Sequence, residues 1–231
     1  MSDQWIDSWL SAPRFHKYVT LCGNDRGRAL AVYEWNVALG QALMRDIAHF
    51  EVALRNAYDA AFTAKWAGTD HWLLSPSSPV VMPIWRIKAN RSGLKRGTDV
   101  NYVNRKAVDS AIHKCGGVSA TAGKVIAELN FGFWRSLTTA SHEKSIWVPY
   151  VHFAYPKGTS RSAVDSDLRD INVVRNRIAH REPIFDRHHN PTQEPRQIHA
   201  TVVQLMQMFS SDAANHVSST STVMSVLAQR P

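Results

Sequence analysis

Leu39, Leu43, Ile47, Phe50, Leu54, Tyr58 and Phe62 recur at steps of four, four, three, four, four and four residues, one apolar stripe sustained over about six helical turns. The pattern predicts a long helix from about Arg28 to Trp66, with Gly40 inside it and Gly68-Thr69 closing it. Ahead of it, Ser2 to Ser11 reads as a short helix turning Trp5, Trp9 and Leu10 inward. Pro13 and the turn Cys22-Gly23-Asn24-Asp25 separate the two. Three prolines between Leu74 and Pro83 mark a non-helical connection. Helix is expected to resume near Asp99 and again over Thr121 to Leu137, where Val125, Leu129, Phe133 and Leu137 align. A loop holds Pro149 and Pro156. The next helix, about Ala163 to Arg181, is capped by Ser162 or Asp165 and buries Leu168, Ile171, Val174 and Ile178. Asp186 to Gln197 is a loop, and helix returns over Arg196 to Phe209. No series of alternating strands and no internal repeat stands out. The expected architecture is all-α: one domain over residues 1–210, then a Ser/Thr-rich tail, 211–231, with room for a short helix.

Composition narrows the class. Of 231 residues, 44% are hydrophobic and 20% charged, which excludes wholesale disorder. No apolar run is long enough to cross a bilayer, and the acidic start MSDQWIDSWL lacks the apolar core of a secretory signal. Cys22 and Cys115 lie too far apart for a disulfide framework or a metal knuckle, so a cytoplasmic protein with reduced thiols and no membrane partner is expected. The eleven histidines fit no zinc pattern. His188 and His189 are adjacent and point apart, and no cofactor-binding or hydrolase signature occurs.

Twenty-seven bases against nineteen acids leave a net charge of +8 and favour a polyanionic partner. Trp85 to Lys114 alone holds eight bases against Asp99 and Asp109. Arg86, Lys88, Arg91, Lys95, Arg96, Arg105 and Lys106, interleaved with Trp85 and Tyr102, could grip RNA backbone and stack on unpaired bases. The same composition also describes a solvated loop, with Gly93 and Gly97 in its middle and two core aromatics. Tryptophans 5, 9, 35, 66, 72, 134 and 147 are expected in the core or at a dimer contact.

Chemistry concentrates in Val174-Arg175-Asn176-Arg177-Ile178-Ala179-His180-Arg181-Glu182-Pro183. Asn172, Asn176 and His180 line one face, and Arg175 stands about 140° from His180 around the helix. An arginine can hold a phosphate while a histidine in the last turn moves protons. Solvated residues favoured by the helix dipole would look the same. Glu51, Arg55 and Asp59, with Asn56 beside them, read first as an intrahelical ion-pair ladder.

Arg175 to His180 resembles the Arg-x4–6-His signature of the HEPN superfamily, and VVRNRIAHREPIF resembles its form in Abi-like proteins of the AbiD/AbiF abortive-infection type. APRFHKYV, RALAVYEWNVALGQAL, HFEVALRNAYDAAF and AELNFGFWRSL are similar to the family's other landmarks, in order, over roughly residues 10–190. The resemblance implies a HEPN-type helical bundle with additional helices and long loops, commonly a homodimer with two motifs meeting across it. It implies a metal-independent, cofactor-free endoribonuclease of antiphage defence, latent until released by a phage-encoded trigger or an antitoxin partner. In that scheme the RNA 2′-hydroxyl attacks and leaves a 2′,3′-cyclic phosphate. Arg175 stabilises the transition state, His180 transfers protons, and Asn176 orients one of them or holds a phosphate oxygen. Glu51, Arg55 and Asn56 brace the motif helix from behind, and Arg177 and Arg181 add RNA contacts. Arg181 stands where most members carry a second histidine. The alternative within the superfamily is a non-catalytic RNA-binding or regulatory module, and a third is a structural component of a defence assembly.

Overall fold

The computed structural model describes residues 4–89, 91–186 and 189–231, with the Lys88 side chain outside that description. The Ser2 start of the expected first helix and His188 also lie outside the described residues. Ten helices and one hairpin are described: α1 (Gln4–Leu10), α2 (Ala12–Leu21), α3 (Arg26–Lys65), β1 (Trp85–Ala89), β2 (Lys95–Asp99), α4 (Tyr102–Lys114), α5 (Ala122–Glu128), α6 (Phe131–Ser136), α7 (Arg161–Ala179), α8 (Pro195–Phe209), α9 (Ser211–Thr220) and α10 (Val223–Leu227). The fold is thus mostly helical, as expected.

Forty residues make α3 about 60 Å long, the axle of the molecule. Asp25 caps it, its carboxylate accepting from Arg28 N at 2.9 Å. The stripe Leu39, Leu43, Ile47, Phe50, Leu54, Tyr58 and Phe62 is fully buried. Helices α2, α7, α8 and α10 pack along it, and one hydrophobic cluster extends from Ile6 to Val223. Aromatic stacking closes the far end, where Phe62 lies between Trp72 (4.2 Å) and Tyr150 (4.6 Å).

Several expectations are corrected. Residues 12–21 form a helix with Pro13 in its first turn, where its missing N–H costs nothing. The basic loop is an antiparallel hairpin in which Trp85 pairs with Asp99, Ile87 with Gly97 and Ala89 with Lys95. Thr121 to Leu137 is broken at Asn130, whose side chain leaves the first helix to cap α6 by accepting from Phe133 N. Ser160, rather than Ser162 or Asp165, caps α7. Leu10 points inward, but Trp5 and Trp9 stack on each other at 6.0 Å and are 56% and 55% exposed. Trp66 is half-buried, while the other four tryptophans expected in the core are buried.

The stretch 211–231 is not a tail apart from the domain. Ala214, Val217 and Val223 are buried in the common core, and the Trp35 indole N–H donates to Val226 O at 2.7 Å. Arg230 holds Asp186 bidentately at 2.8 and 2.7 Å. Fully buried Asp46 on α3 ties three elements together: it accepts from Arg45 (2.9 Å), from Ser221 (2.6 Å) and from His199 Nδ1 on α8 (3.0 Å).

Candidate functional site

Helix α7 buries Val164, Leu168, Ile171 and Val174, which turns the motif residues to its flanks and end. Arg175 is half-buried on one flank, and Asn176 and His180 are exposed. His180 is the C-cap residue, its amide donating to Asn176 O at 2.9 Å, so the helix ends at Ala179 rather than Arg181. Arg181 follows in the left-handed region at φ 59°. Its guanidinium doubles back to donate to Ile178 O (3.2 Å) and Ala179 O (2.8 Å), satisfying carbonyls the helix end leaves open. Arg177 donates twice to Pro183 O, at 3.1 and 2.8 Å, and pairs with Glu182 at 3.1 Å. Both arginines, expected on RNA, thus direct donors into the turn that carries His180.

Two residues on α3 position that turn, and the motif alone does not reveal them. Buried Asn36 accepts from Ile184 N at 3.0 Å and donates to Glu182 O at 3.4 Å and to the Tyr18 hydroxyl at 3.2 Å. The backbone leaving the motif is therefore clamped to the long helix. One turn on, a Cβ at Gly40 would lie 3.2 Å from Ile178 Cγ2, so glycine permits the close approach of α3 and α7. The available signals were a polar residue among apolar neighbours and a glycine inside a strong helical pattern.

Glu51 on α3 lies within the field of Arg175 on α7 and of Arg55 on its own helix. Burial pushes the Glu51 carboxyl up, and the two guanidinium charges only partly pull it back. The ladder expected for Glu51, Arg55 and Asp59 gives way to tertiary partners. Arg55 donates to Ala127 O at 3.3 Å. Asp59 accepts from the Trp72 indole at 2.7 Å and pairs with His71 at 3.0 Å. Asn56 is exposed.

A groove of about 470 Å³ opens beside the end of α7, lined by Val37, Gly40, Met44, Ala48, Ile178 and Arg181 among others. Arg175, Asn176 and His180 do not line it. Of the motif arginine and histidine, Arg175 is half-buried and His180 is exposed at the helix end.

The basic residues fall into two groups. Arg86, Arg91, Lys95 and Arg96 are exposed on the hairpin, and Lys88 pairs with Arg96 in its ladder. Arg105 instead anchors the hairpin's base, donating to Asp99 (2.7 Å) and Val81 O (3.1 Å). Burial tends to raise the Asp99 carboxyl. Hydrogen bonds from Arg105 and from the amides of Ile84 and Asn101, with the Arg105 charge, outweigh that and hold it below the ordinary value. Lys106 lies 4.9 Å over the Tyr102 ring.

Among the described residues no group of three His, Cys, Asp or Glu is arranged to hold a metal ion, and no helix is long and apolar enough to cross a membrane. Comparison with protein-family models, curated proteins and solved structures finds no match. Asn36 and Gly40 lie in the string RALAVYEWNVALGQAL, and Glu51 and Arg55 in HFEVALRNAYDAAF.

Proposed function

We propose that this chain is a metal-independent endoribonuclease of the HEPN type, acting in abortive infection or as a toxin. The observation that carries the reading is the placement of the motif: a half-buried Arg175 five residues before an exposed C-cap histidine, on a turn clamped by Asn36. Two such helix ends, brought together in a homodimer, form the site, with Arg175 of one copy facing His180 of the other. His180 takes the proton from the 2′-hydroxyl, the oxygen attacks phosphorus as the bond to the 5′-oxygen breaks, and the leaving 5′-oxygen is protonated by the resulting imidazolium, which returns His180 to its neutral form. The products are a 2′,3′-cyclic phosphate and a 5′-hydroxyl. Arg175 neutralises charge on the phosphorane-like transition state, and Asn176 hydrogen-bonds a phosphate oxygen.

The exposed basic residues of the β1–β2 hairpin favour a second reading, a module that grips RNA without cutting it. Cleavage of an RNA pool in EDTA, with product ends analysed, tests the choice. The ribonuclease reading expects cyclic phosphate ends that vanish in His180→Ala and in Arg175→Ala. Undiminished cutting by both variants decides against it.

A further inference from the structure

The hairpin β1–β2 presents exposed residues on both faces: Trp85, Ile87, Ala89, Lys95 and Gly97 on one, Arg86, Arg96 and Thr98 on the other. A two-stranded ribbon wet on both faces is marginal by itself in water. Here it is held at the root. The Asp99 carboxylate accepts from Ile84 N and Asn101 N, both at 3.0 Å, and from Arg105 at 2.7 Å, and Val100 N donates to Ile84 O at 2.9 Å. The base is rigid, and the ribbon beyond it is offered to solvent.

Its surface chemistry is uneven. Trp85 is 66% exposed and Ile87 is 78% exposed, on the face where position 97 is glycine. The indole rests on that gap: a Cβ at Gly97 would lie 3.9 Å from Trp85 Cε3. One side of the ring system is thus supported by backbone while the rest stays open. Tyr102, the other aromatic of the segment, is already covered by cations, with Lys106 at 4.9 Å and Arg105 at 5.9 Å from its ring. Along the same ribbon Arg86 and Arg96 stand on the opposite face, and Lys95 and Arg91 lie toward its tip, all exposed, while the acid Asp99 is paired with Arg105.

We propose that Trp85 is a stacking platform for an unpaired nucleobase and that the basic edge of the hairpin tracks the adjoining backbone, so the preferred ligand is single-stranded or looped RNA rather than duplex. An open indole and a row of exposed cations on one ribbon are the combination that binds unpaired strands by stacking plus charge. Duplex RNA hides its bases in a groove too deep and narrow for side chains to read, and leaves an exposed tryptophan nothing to stack on. The polymer is taken from the ribonuclease reading; the platform itself does not require cleavage.

The test uses the full-length His180→Ala chain, which leaves RNA intact, in EDTA. Fluorescence anisotropy measures binding to an unstructured uridine-rich oligoribonucleotide and to an RNA duplex of equal length. Adding Trp85→Ala is expected to weaken single-strand binding about 5- to 150-fold, the usual worth of one base–aromatic stack, and to leave duplex binding unchanged. Trp85→Phe retains most of the affinity. Unaltered single-strand affinity in Trp85→Ala, or an equal loss for duplex, overturns the platform. A protein with His180 restored that cuts the single strand no differently from His180→Ala, while Trp85→Ala still weakens binding, supports the platform and counts against His180 as the group that cuts. Cutting with no Trp85 effect on binding does the reverse.

Discussion

The Glu51 carboxyl on α3 feels the charge of Arg175 on α7, but burial, not the arginine, dominates it: its protonation is shifted upward although two guanidinium charges oppose the shift. A carboxylate whose charged form is disfavoured in the fold costs stability once it ionises. The native state therefore gains from Glu51 protonation at low pH and loses that gain as pH rises from the ordinary glutamate range through the raised folded value. Glu51→Gln is expected to melt higher than wild type at pH 7 and to show little difference at pH 4. A melting difference that stays constant over that interval would show that Glu51 is not held this way.

Removing Glu51 also changes what Arg175 feels. Without a nearby negative charge, the guanidinium is a stronger anion site, so Glu51→Gln is expected to bind inorganic phosphate and RNA more tightly. A titration at low ionic strength, where the effect is least screened, reads this directly. Weaker binding in the variant would mean that Glu51 orients Arg175 rather than competing for it.

Asn36 is a local test of the clamp. Asn36→Leu leaves the Ile184 amide and the Glu182 carbonyl without their buried partner, at about 1–3 kcal/mol for each stranded group. Hydrogen exchange at Ile184 should accelerate well beyond the global loss of stability, because the turn after His180 is released first. Equal acceleration across α3 and α7 would indicate global destabilisation and no specific clamp.

The approach of α3 to α7 at Gly40 predicts a compensating pair. Gly40→Val drives side-chain atoms into Ile178, 3.2 Å away even for a lone Cβ, and overpacking of this kind costs about 1–3 kcal/mol. Ile178→Ala in the same chain should restore part of that loss in urea unfolding, although alone it destabilises. Strict additivity of the two changes would deny the contact.

How far the sequence foretold these features follows the physics of each signal. The α3 stripe was legible because burial on one side of a helix imposes a 3.6-residue period, and Leu39 to Phe62 keep it. The hairpin was not. Trp-Arg-Ile-Lys-Ala alternates for five residues only, and neither face is buried, so no core pattern marks it as strand. Trp5 and Trp9 show that apolar identity is not burial: α1 buries Ile6 and Leu10 and turns the indoles out. The Arg175 and His180 positions could be read from the motif. The tie of its turn to Asn36, 144 residues earlier than His180, could not, since no local pattern encodes a long-range hydrogen bond. Residues 211–231 read as a Ser/Thr-rich tail from composition, yet Ser221 and Thr220 bond to Asp46 and Arg45, partners that a composition count cannot supply.

That Asp46 hub gives a prediction of opposite sign to Glu51. Burial alone would raise its carboxyl. Hydrogen bonds from His199 and Ser221, with the charges of His199 and Arg45, outweigh burial and hold it below the ordinary aspartate range. Its contribution to stability is therefore fully present above the unfolded aspartate value and is lost as pH falls through the lowered folded value. Asp46→Ala at pH 7 leaves Arg45, His199 and Ser221 without their common acceptor and is expected to cost about 1–3 kcal/mol in urea unfolding for each partner left buried and unsatisfied. Because Ser221 and His199 then lose their tie to α3, residues 211–231 and α8 should become the first sites of proteolysis. The penalty should shrink in acid, where wild type also loses the charged carboxylate. A cost that does not change with pH would show that Asp46 acts by shape and packing, with its charge irrelevant to holding the C-terminal helices on the axle.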